Sequence, residues 1–508
     1  MAVNKRLLVL NTLFSYGRTL LGGCLTLFTT RWVINALGEK DFGLYGLVGG
    51  MVALLGFVNI SLSAGAQRFF SYAMDIGGDE VSKWFKTSVC IHLALAAVFL
   101  LLAALLYPFA FNSIFVIDES RVMACTIVYW CAVASGFWGL LNAPFNAMFI
   151  AKQHIFELTV LNMVVVILSF ALAYMLFFVR GDRLIVYAVA LAAINIGAFL
   201  AQMFRCFCAF SECRWSRSPL ERSRVCQLLS FSGLTLMGTV SYLVRGQGLQ
   251  IIFNRYGTSS LNASYGVSNQ VSGLTGTLAA SLTNALSPGI ISQYGAGDVK
   301  GACAWAIRSC KFSTVLSLIV FIPIFGELDY LLKLWLVNPP DGCVEFVRIM
   351  MVSAVLTQIV TGAPILVKAS GKVSWYEIMN TISLLGSVVL AWCCCRYLGF
   401  SARHAIVWFA VSTGGCSLIA LVEARRLSGF SLMDWLYQVG FKGCIVGIMG
   451  AVAALFVQSL FSASVVRVFL VSTASFVVVA VASWHFLLKK TERDWVLERL
   501  RRTRVASK

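Results

Sequence analysis

Arginine residues inside apolar segments are the side chains best suited to chemistry in this sequence. Arg18 lies about two to three helical turns inside the apolar segment Leu8–Leu37, Arg31 lies near the end of that segment, and Arg245 interrupts another one. A charge at this depth is costly in a bilayer unless it faces protein or a water-filled cavity. The planar guanidinium offers paired donors that fit phosphate oxygens. We therefore predict that Arg18 and Arg245 face a cavity that receives an anion, whereas Arg31 either reaches the membrane surface or adds a second cavity contact.

Tyrosine and amide side chains form a second group of candidate contacts. Tyr45 shares a helix face with small residues, and Tyr265 and Asn269 share the matching face of a later segment. Asn142 and Gln358 lie beside prolines that should kink their helices. Small and polar faces of this kind serve either close helix packing or the lining of the central cavity. We predict all five side chains as substrate contacts, together with the three arginines.

The sequence shows no catalytic or metal-binding motif. None of the 4 histidines has a sequence partner at metal-ligand spacing, and the 16 cysteines are scattered rather than paired. There is no phosphate-binding loop and no nucleophile elbow. We therefore expect no catalytic residue, no metal site and no cofactor, and we do not expect an enzyme.

Acidic residues are placed in loops or at the ends of apolar segments. The relevant ones are Asp75, Asp79, Glu80, Asp298, Asp341 and Asp434. An exporter of cations should instead carry carboxylates at membrane depth, where they would balance the charge of the substrate. The distribution therefore predicts an anionic substrate.

The composition is that of a helical membrane protein. The 508 residues are 59% hydrophobic and only 12% charged, whereas a soluble globule averages about 25% charged residues. Apolar runs of about 20 residues are long enough to span a bilayer. They predict an all-α polytopic membrane protein with about 14 transmembrane helices. The predicted spans are 10–36, 44–66, 86–110, 122–148, 157–179, 184–208, 228–254, 262–287, 306–326, 346–367, 376–396, 404–423, 436–459 and 466–488.

The net charge of +18 is unevenly distributed along the chain. Most lysines and arginines fall in loops that lie on one side of the membrane if the N-terminus is on that side. Cytoplasmic loops accumulate these residues, so the charge predicts two cytoplasmic termini rather than nucleic-acid binding.

Two halves of the chain align without gaps at a single constant offset. Ala143-Pro144 falls on Ala363-Pro364, and Gly77 falls on Gly297. Proline is scarce in this chain, so the agreement favours a duplication over matches that arise from biased composition.

The duplication predicts two six-helix lobes of the same orientation. Parallel repeats of this kind hold substrate at their interface and move it by rocking. The predicted domains are an N-terminal lobe at 1–220, a C-terminal lobe at 221–433, two additional transmembrane helices at 434–488 and a basic cytoplasmic tail at 489–508.

Several stretches near the N-terminus resemble a known family. Asn11-Thr12-Leu13-Phe14, Arg18, the run from Asn35 to Tyr45, and Ala66-Gln67-Arg68-Phe69 resemble bacterial polysaccharide flippases. These flippases belong to the multidrug/oligosaccharidyl-lipid/polysaccharide (MOP) exporter superfamily. The first 80 or so residues carry most of the match, and the predicted helix layout extends it along the chain.

The resemblance implies a function and a location. The protein would flip an undecaprenyl-diphosphate-linked oligosaccharide, such as a repeat unit of O-antigen, capsule or exopolysaccharide, from the inner to the outer leaflet of the bacterial inner membrane. Arg18, Arg31 and Arg245 would contact the diphosphate. Membrane lipids, and the polysaccharide polymerase or ligase machinery, are the expected partners.

Other functions remain open at this point. A peptidoglycan lipid II flippase would use the same physics with another headgroup. A cation-coupled multidrug antiporter of the same superfamily would require carboxylates at membrane depth. A membrane scaffold without transport activity would tolerate changes at Arg18 and Arg245.

Overall fold

The computed structural model describes residues 22–23, 25–55, 62–63, 65–67, 69–70, 73–74, 77–152, 154–213, 220–487 and 493. All regular secondary structure within these residues is helical. The all-α fold class predicted from composition is therefore confirmed. Arg18 lies outside the described residues, as does the basic tail at 489–508 except for Arg493.

The helices before residue 296 are mostly long. They are α1 (25–37), α2 (Glu39–Leu55), α3 (Gly78–Phe109), α4 (Val122–Ala151), α5 (Ile155–Met175), α6 (Arg183–Ala209), α7 (Arg222–Tyr256) and α8 (Ser259–Gly295). Short described stretches between 62 and 74 are helical as well.

The later helices include several short ones. They are α9 (Val299–Gly326), α10 (Leu328–Leu336), α11 (Cys343–Gln358), α12 (Gly362–Ala369), α13 (Ser374–Tyr397), α14 (Ile406–Ser428), α15 (Leu432–Trp435), α16 (Lys442–Leu460) and α17 (Val465–Ala482). The π-helical turn Leu436–Phe441 joins α15 to α16.

Every predicted membrane span contains a described helix. Within the described chain, 9 helical segments are long and apolar enough to cross a membrane, and the bent pair α11–α12 raises the number to 10. Helices α7 and α8 are 35 and 37 residues long, but serine, threonine, glutamine and asparagine recur along them. A helix this polar is stable at membrane depth when other helices cover it. The chain is a multi-pass membrane protein.

The chain forms two compact units. Unit 1 comprises Met1–Val267, Pro340–Gly342 and Val388–Ala405, and unit 2 comprises Ser268–Pro339, Cys343–Ser387 and Ile406–Lys508. The division between the units falls inside α8, beyond the lobe boundary predicted at 220. The lobes themselves stay a prediction of the duplication.

The core of unit 1 is built around α4. This helix packs against α6, α3 and α2. Leu47 and Val48 of α2 are buried in one cluster with Val128 and Tyr129 of α4, and the Tyr129 hydroxyl donates a hydrogen bond of 2.7 Å to the carbonyl of Ala103 in α3. These contacts fix α2 beside α4, and α2 carries Tyr45.

The core of unit 2 is built around α9. Ala306 of α9 is buried with Ala363 and Val367 of α12, with Ala424 of α14 and with Phe430. Helices α16 and α17 pack against each other and against α9. The small residues allow close packing of the helices, which favours association inside a membrane.

Buried charges hold the last two helices to α9. Glu327, directly after α9, is 1% exposed. Arg467 of α17 donates from Nη2 to Glu327 Oε2 at 2.7 Å and from Nε to the same oxygen at 3.2 Å, while Gln458 Nε2 donates to Glu327 Oε1 at 3.2 Å. Both carboxylate oxygens are thus hydrogen-bonded, which a buried charge requires.

Helix boundaries repeat at the offset found in the sequence. The offset that places Gly77 on Gly297 also places Glu39, the start of α2, on Ser259, the start of α8. The starts of α5 and α13, Ile155 and Ser374, differ from exact alignment by a single position. Gly77 and Gly297 both adopt positive φ, 143° and 83°, in a turn directly before a helix, where glycine avoids the strain that a Cβ introduces. The two aligned glycines thus share positive φ, and the duplication itself stays a prediction.

Candidate functional site

Arg245 is buried in the middle part of α7. Its side chain is 6% exposed, and its guanidinium carbon lies 5.5 Å from the centre of the Tyr242 ring. The next residue, Gly246, faces α8, since a Cβ added there would lie 3.6 Å from the Tyr265 hydroxyl. Two predicted site residues, Arg245 and Tyr265, are therefore on adjoining helices in unit 1, at neighbouring positions.

The opposite face of α7 packs against α2. At about 100° per residue, Gln247 and Gln250 lie on the side of α7 away from Arg245. A Cβ added at Gly46 would lie 3.5 Å from Gln250 Nε2, and one added at Gly50 would overlap the side chain of Gln247. The Gln247 amide thus occupies the space that a side chain at position 50 would take.

A cavity of about 560 Å³ lies inside unit 1, between α2, α3, α4 and α6. Tyr45 and Gly49 of α2 line it, as do Cys131 and Ser135 of α4 and Asn195 of α6. The Tyr45 ring packs edge-on at 5.1 Å against the ring of Tyr187, which fixes its direction. The α2 face that carries Tyr45 thus lines a cavity within this unit, and its predicted place at the central cavity stays a prediction.

Acidic residues at the start of α2 hold unit 1 together. Arg121 donates from Nε to Asp41 Oδ1 at 3.0 Å and from Nη1 to Asp182 Oδ2 at 2.7 Å. Burial acts to raise the pKa of the Asp182 carboxyl, but Arg121 and the backbone N–H groups of Ile185 and Leu184 outweigh it and lower the pKa below its usual value. The carboxylate form is therefore the stable one at neutral pH.

A second set of hydrogen bonds joins α2, α8 and the segment Pro340–Gly342. The Ser260 hydroxyl donates to Glu39 Oε2 at 2.7 Å and accepts from the Asp341 backbone N–H at 3.1 Å. The Ser264 hydroxyl donates to the Asp341 carbonyl at 2.6 Å. The acidic residues of the run from Asn35 to Tyr45 are therefore engaged in internal contacts.

Asn142 is buried between α4 and α6. It is 3% exposed, and its Nδ2 donates to Gln202 Oε1 on α6. A paired amide of this kind stabilises helix association inside a membrane. Its predicted contact with substrate stays a prediction.

Gln358 lies at a break in the membrane-spanning segment of α11 and α12. The two helices are bent by 47°. Trp435 Nε1 donates to the Ile359 carbonyl at 2.8 Å, which compensates for a helical hydrogen bond lost at the break. Gln358 Oε1 is buried, and among the described residues nothing donates to it. Its predicted contact with substrate stays a prediction.

The remaining predicted residues are distributed over both units. Arg31 is half-buried on α1, and Tyr265 is buried with its ring 5.5 Å from that of Phe253. Asn269 is exposed on the part of α8 that belongs to unit 2. Their roles as substrate contacts, like that of Arg18, stay predictions.

Three buried charged residues were missed at the sequence level. Lys311 of α9 is 1% exposed, Glu423 of α14 is 2% exposed, and Glu327 is buried after α9. The signal for Lys311 was present, since it interrupts the span predicted at 306–326 as Arg245 interrupts its own. The two glutamates fall at the ends of predicted spans, where a charge ordinarily reaches water.

Comparison with known proteins gives a partial match in sequence and a nearly complete match in fold. Residues 236–393 match the MatE family, and no curated protein matches the chain. The structure of the lipid II flippase MurJ in an inward closed conformation matches with a TM-score of 0.70 and 13% identity, covering 94% of this chain and 98% of MurJ.

Two other solved structures are transporters of the MOP superfamily. An inward-facing multidrug resistance MATE family transporter matches with a TM-score of 0.67 and 14% identity, covering 80% of this chain and 95% of the transporter. A transporter from Pyrococcus furiosus matches with a TM-score of 0.54 and 16% identity, covering 83% and 94%. Residues 236–393 therefore match the MatE family, in a chain that has the fold of the MATE transporters and of the lipid II flippase MurJ.

Proposed function

We propose that this protein is a transporter that flips an undecaprenyl-diphosphate-linked oligosaccharide from the inner to the outer leaflet of the bacterial inner membrane by alternating access. The oligosaccharide is a repeat unit of a surface polysaccharide. Arg18, Arg31 and Arg245 bind the diphosphate, and Tyr265 and the three amide side chains predicted above contact the sugars. Tyr45, which lines the cavity of unit 1, is not among these sugar contacts.

The burial of Arg245 is the observation that carries this proposal. A guanidinium that is 6% exposed within the span predicted at 228–254 has a large desolvation cost, which selection tolerates when the charge has a function. Its planar fork of donors is suited to a diphosphate. An anionic headgroup is therefore the substrate feature that best accounts for Arg245.

The buried carboxylates do not oppose an anionic substrate. Of the described acidic residues, Glu327 and Glu423 are the fully buried ones. Glu327 is hydrogen-bonded to Arg467, and Glu423 lies 3.7 Å from Arg426. The close pair with Arg467 removes Glu327 as a free counter-charge for a cationic drug, and Glu423 has the exposed Arg426 beside it.

The extent of the structural match favours a lipid-linked substrate. MurJ, a lipid II flippase, covers 94% of this chain, whereas the MATE transporter covers 80%. The N-terminal resemblance to polysaccharide flippases then favours a surface polysaccharide over peptidoglycan.

The first experiment is to delete the gene and identify the lipid-linked intermediate that accumulates. We expect viable cells that lack one surface polysaccharide and retain its diphosphate-linked repeat unit in the inner leaflet. Unchanged surface glycans, together with new sensitivity to cationic compounds, would contradict the proposal and favour a drug antiporter.

Substitution of Arg245 tests the site itself. Arg245→Ala should reduce flipping at least about tenfold, because losing a buried charge-assisted contact costs about 2 kcal/mol or more. Arg245→Lys should retain part of the activity, since the charge remains and the fork is lost. The readout is the rate at which the lipid-linked repeat unit reaches the outer leaflet, normalised to the amount of folded protein.

Arg255 provides the matched control on the same helix. Its side chain is exposed, and its Nη1 donates to the Ser113 carbonyl at 2.8 Å. Arg255→Ala should stay within about twofold of wild type, because exposed polar contacts contribute little. Equal activity of Arg245→Ala and Arg255→Ala would show that Arg245 does not contact the substrate.

A lipid II flippase is the second candidate, because MurJ shares the fold over nearly the whole chain. The same deletion separates the two functions. Loss of viability with trapped lipid II would identify the peptidoglycan precursor as the substrate, instead of a polysaccharide repeat unit.

A further inference from the structure

The cavity inside unit 1 has a mostly apolar lining. Its volume is about 560 Å³, and apolar side chains such as Phe99, Leu191 and Phe199 form most of its wall. Tyr45 and Asn195 add polar atoms. None of its described lining residues is charged.

This lining selects against polar ligands. A charged group would be desolvated there without a counter-charge. A sugar would bury many hydroxyl groups, and few side chains of the cavity could hydrogen-bond them. Apolar ligand sites in proteins combine this size with a few polar groups. A hydrocarbon chain therefore matches the wall best.

Glycine and alanine residues keep the cavity open. A Cβ added at Gly49 has no atom within 4 Å, whereas one added at Gly136 would lie 2.6 Å from Phe99 Cζ. Apolar walls gain dispersion contacts from an apolar occupant. An occupant that supplies those contacts would stabilise α2 against α4 and α6.

We propose that this cavity binds an uncharged hydrocarbon chain of a membrane lipid. The chain packs against Phe99 and Phe199 and fills the space beside Gly49. Isoprenoid chains and the acyl chains of phospholipids share this chemistry, and the two sources differ in mass. The site is independent of the headgroup that the protein flips.

Filling the cavity with a side chain tests the proposal. Gly49→Leu places an apolar side chain into the open space, and leucine favours a helix over glycine. Gly197→Leu is the matched control, because Gly197 is on α6 outside the described lining and also has no atom within 4 Å of an added Cβ.

Native mass spectrometry of the full chain extracted from bacterial membranes gives the readout. Wild type and Gly197→Leu should each retain one lipid that Gly49→Leu lacks. The mass of that lipid identifies it as a polyprenyl lipid or a phospholipid. Equal retention by all three proteins would overturn the proposal.

Cys131 provides a second measurement that needs no substitution. This thiol lines the cavity, so a bound chain should shield it from N-ethylmaleimide in a steroid-based detergent that has no linear hydrocarbon chain. Farnesol or phosphatidylglycerol at about ten times its dissociation constant should slow alkylation about tenfold. The exposed thiol of Cys444 in unit 2 is the internal reference and should not respond.

Comparing the two lipids shows whether the bound hydrocarbon is an isoprenoid chain or a phospholipid acyl chain. Protection by farnesol alone assigns an isoprenoid chain, and protection by phosphatidylglycerol alone assigns an acyl chain. Alkylation of Cys131 that neither lipid slows would overturn the proposal. Because this measurement uses the wild-type protein, it holds even if Gly49→Leu does not fold.

Discussion

Several buried or half-buried polar side chains of the described chain are paired with one another. Asn142 donates to Gln202, Arg467 donates to Glu327, and Arg121 bridges Asp41 and Asp182. Pairing of this kind satisfies a group that lipid cannot. A polar residue inside an apolar run therefore indicates a hydrogen-bonding partner within the protein. A contact with substrate has to be tested separately from that pairing.

Substitutions of Asn142 and Gln202 can separate the effect of their hydrogen bond on stability from any effect on flipping. Asn142→Leu should lower the free energy of unfolding by about 1–2 kcal/mol, because Gln202 Oε1 loses its donor in a buried site. Adding Gln202→Leu should restore most of that loss, since the double variant leaves neither amide unsatisfied. Thermal unfolding of the purified protein measures both changes.

Flipping assays on the same variants decide the role of Asn142. Asn142 contacts substrate only if flipping stays low in the double variant after stability has returned. An unchanged unfolding temperature for Asn142→Leu would mean that the hydrogen bond contributes no stability.

Buried polar residues could be predicted from the sequence where a charge interrupts an apolar run. Arg245 could be found because an arginine inside an apolar run is rare. The pairing of Asn142 with Gln202 could not be found, because the two residues are 60 positions apart and helix packing brings them together. Glu423 escaped notice because the end of a span predicts exposure, whereas packing buries it.

The two proline-containing spans differ in form although they align. Helix α4 continues through Pro144, whereas the span with Pro364 breaks between α11 and α12. At the break, Gly362 lies against the carbonyl of Ala306 in α9, so closely that a Cβ would overlap it. Pro364 is then in the first turn of α12, where a missing N–H costs nothing. The sequence predicts a kink at both prolines, but tertiary contact decides where the helix ends.

The ion pair of Glu327 and Arg467 should be decisive for the attachment of α16 and α17. Arg467→Ala should lower the free energy of unfolding by about 3–5 kcal/mol, because it leaves the Glu327 carboxylate buried without its charge partner. The measurements are the unfolding temperature and the protease resistance of the segment Lys442–Leu460. Replacing both partners by leucine should restore much of the stability.

Arg348 provides the matched control within unit 2. Arg348 Nη2 lies 2.7 Å from Asp329 Oδ2, but the two side chains are 39% and 62% exposed, against 17% and 0% for Arg467 and Glu327. Arg348→Ala should cost at most about 1 kcal/mol, since water and salt screen exposed pairs. Equal losses for Arg348→Ala and Arg467→Ala would show that burial does not set the strength of these pairs.

At the scale of the whole molecule, hydropathy and the repeat predict most of the helix layout. Each predicted span contains a helix, and the offset of the duplication carries the start of α2 at Glu39 onto the start of α8 at Ser259. The division into units was not predictable, because it falls inside α8 between Val267 and Ser268. It depends on how helices pack, which the periodicity of a single helix does not encode.

The orientation of the whole chain is the remaining prediction of the charge pattern. Basic residues concentrate in loops that the positive-inside rule assigns to the cytoplasm. Helix α9 then runs outward, with Lys300 in its first turn on the cytoplasmic side and Asn338 beyond α10 on the outer side. Both positions are exposed, so a cysteine introduced at either one can be reached by reagents from its own side.

Labelling with a membrane-impermeant maleimide tests this orientation in intact inner-membrane spheroplasts. We expect Asn338→Cys to be labelled from outside, and Lys300→Cys to be labelled only after the membrane is permeabilised. Peptide mapping by mass spectrometry distinguishes each new site from native thiols such as Cys226, which lies on the predicted cytoplasmic side and serves as the internal control. Labelling of Lys300→Cys before permeabilisation would show that the chain has the opposite orientation in the membrane. The proposed direction of flipping would then lose its basis, because Lys and Arg would be concentrated on the outer face.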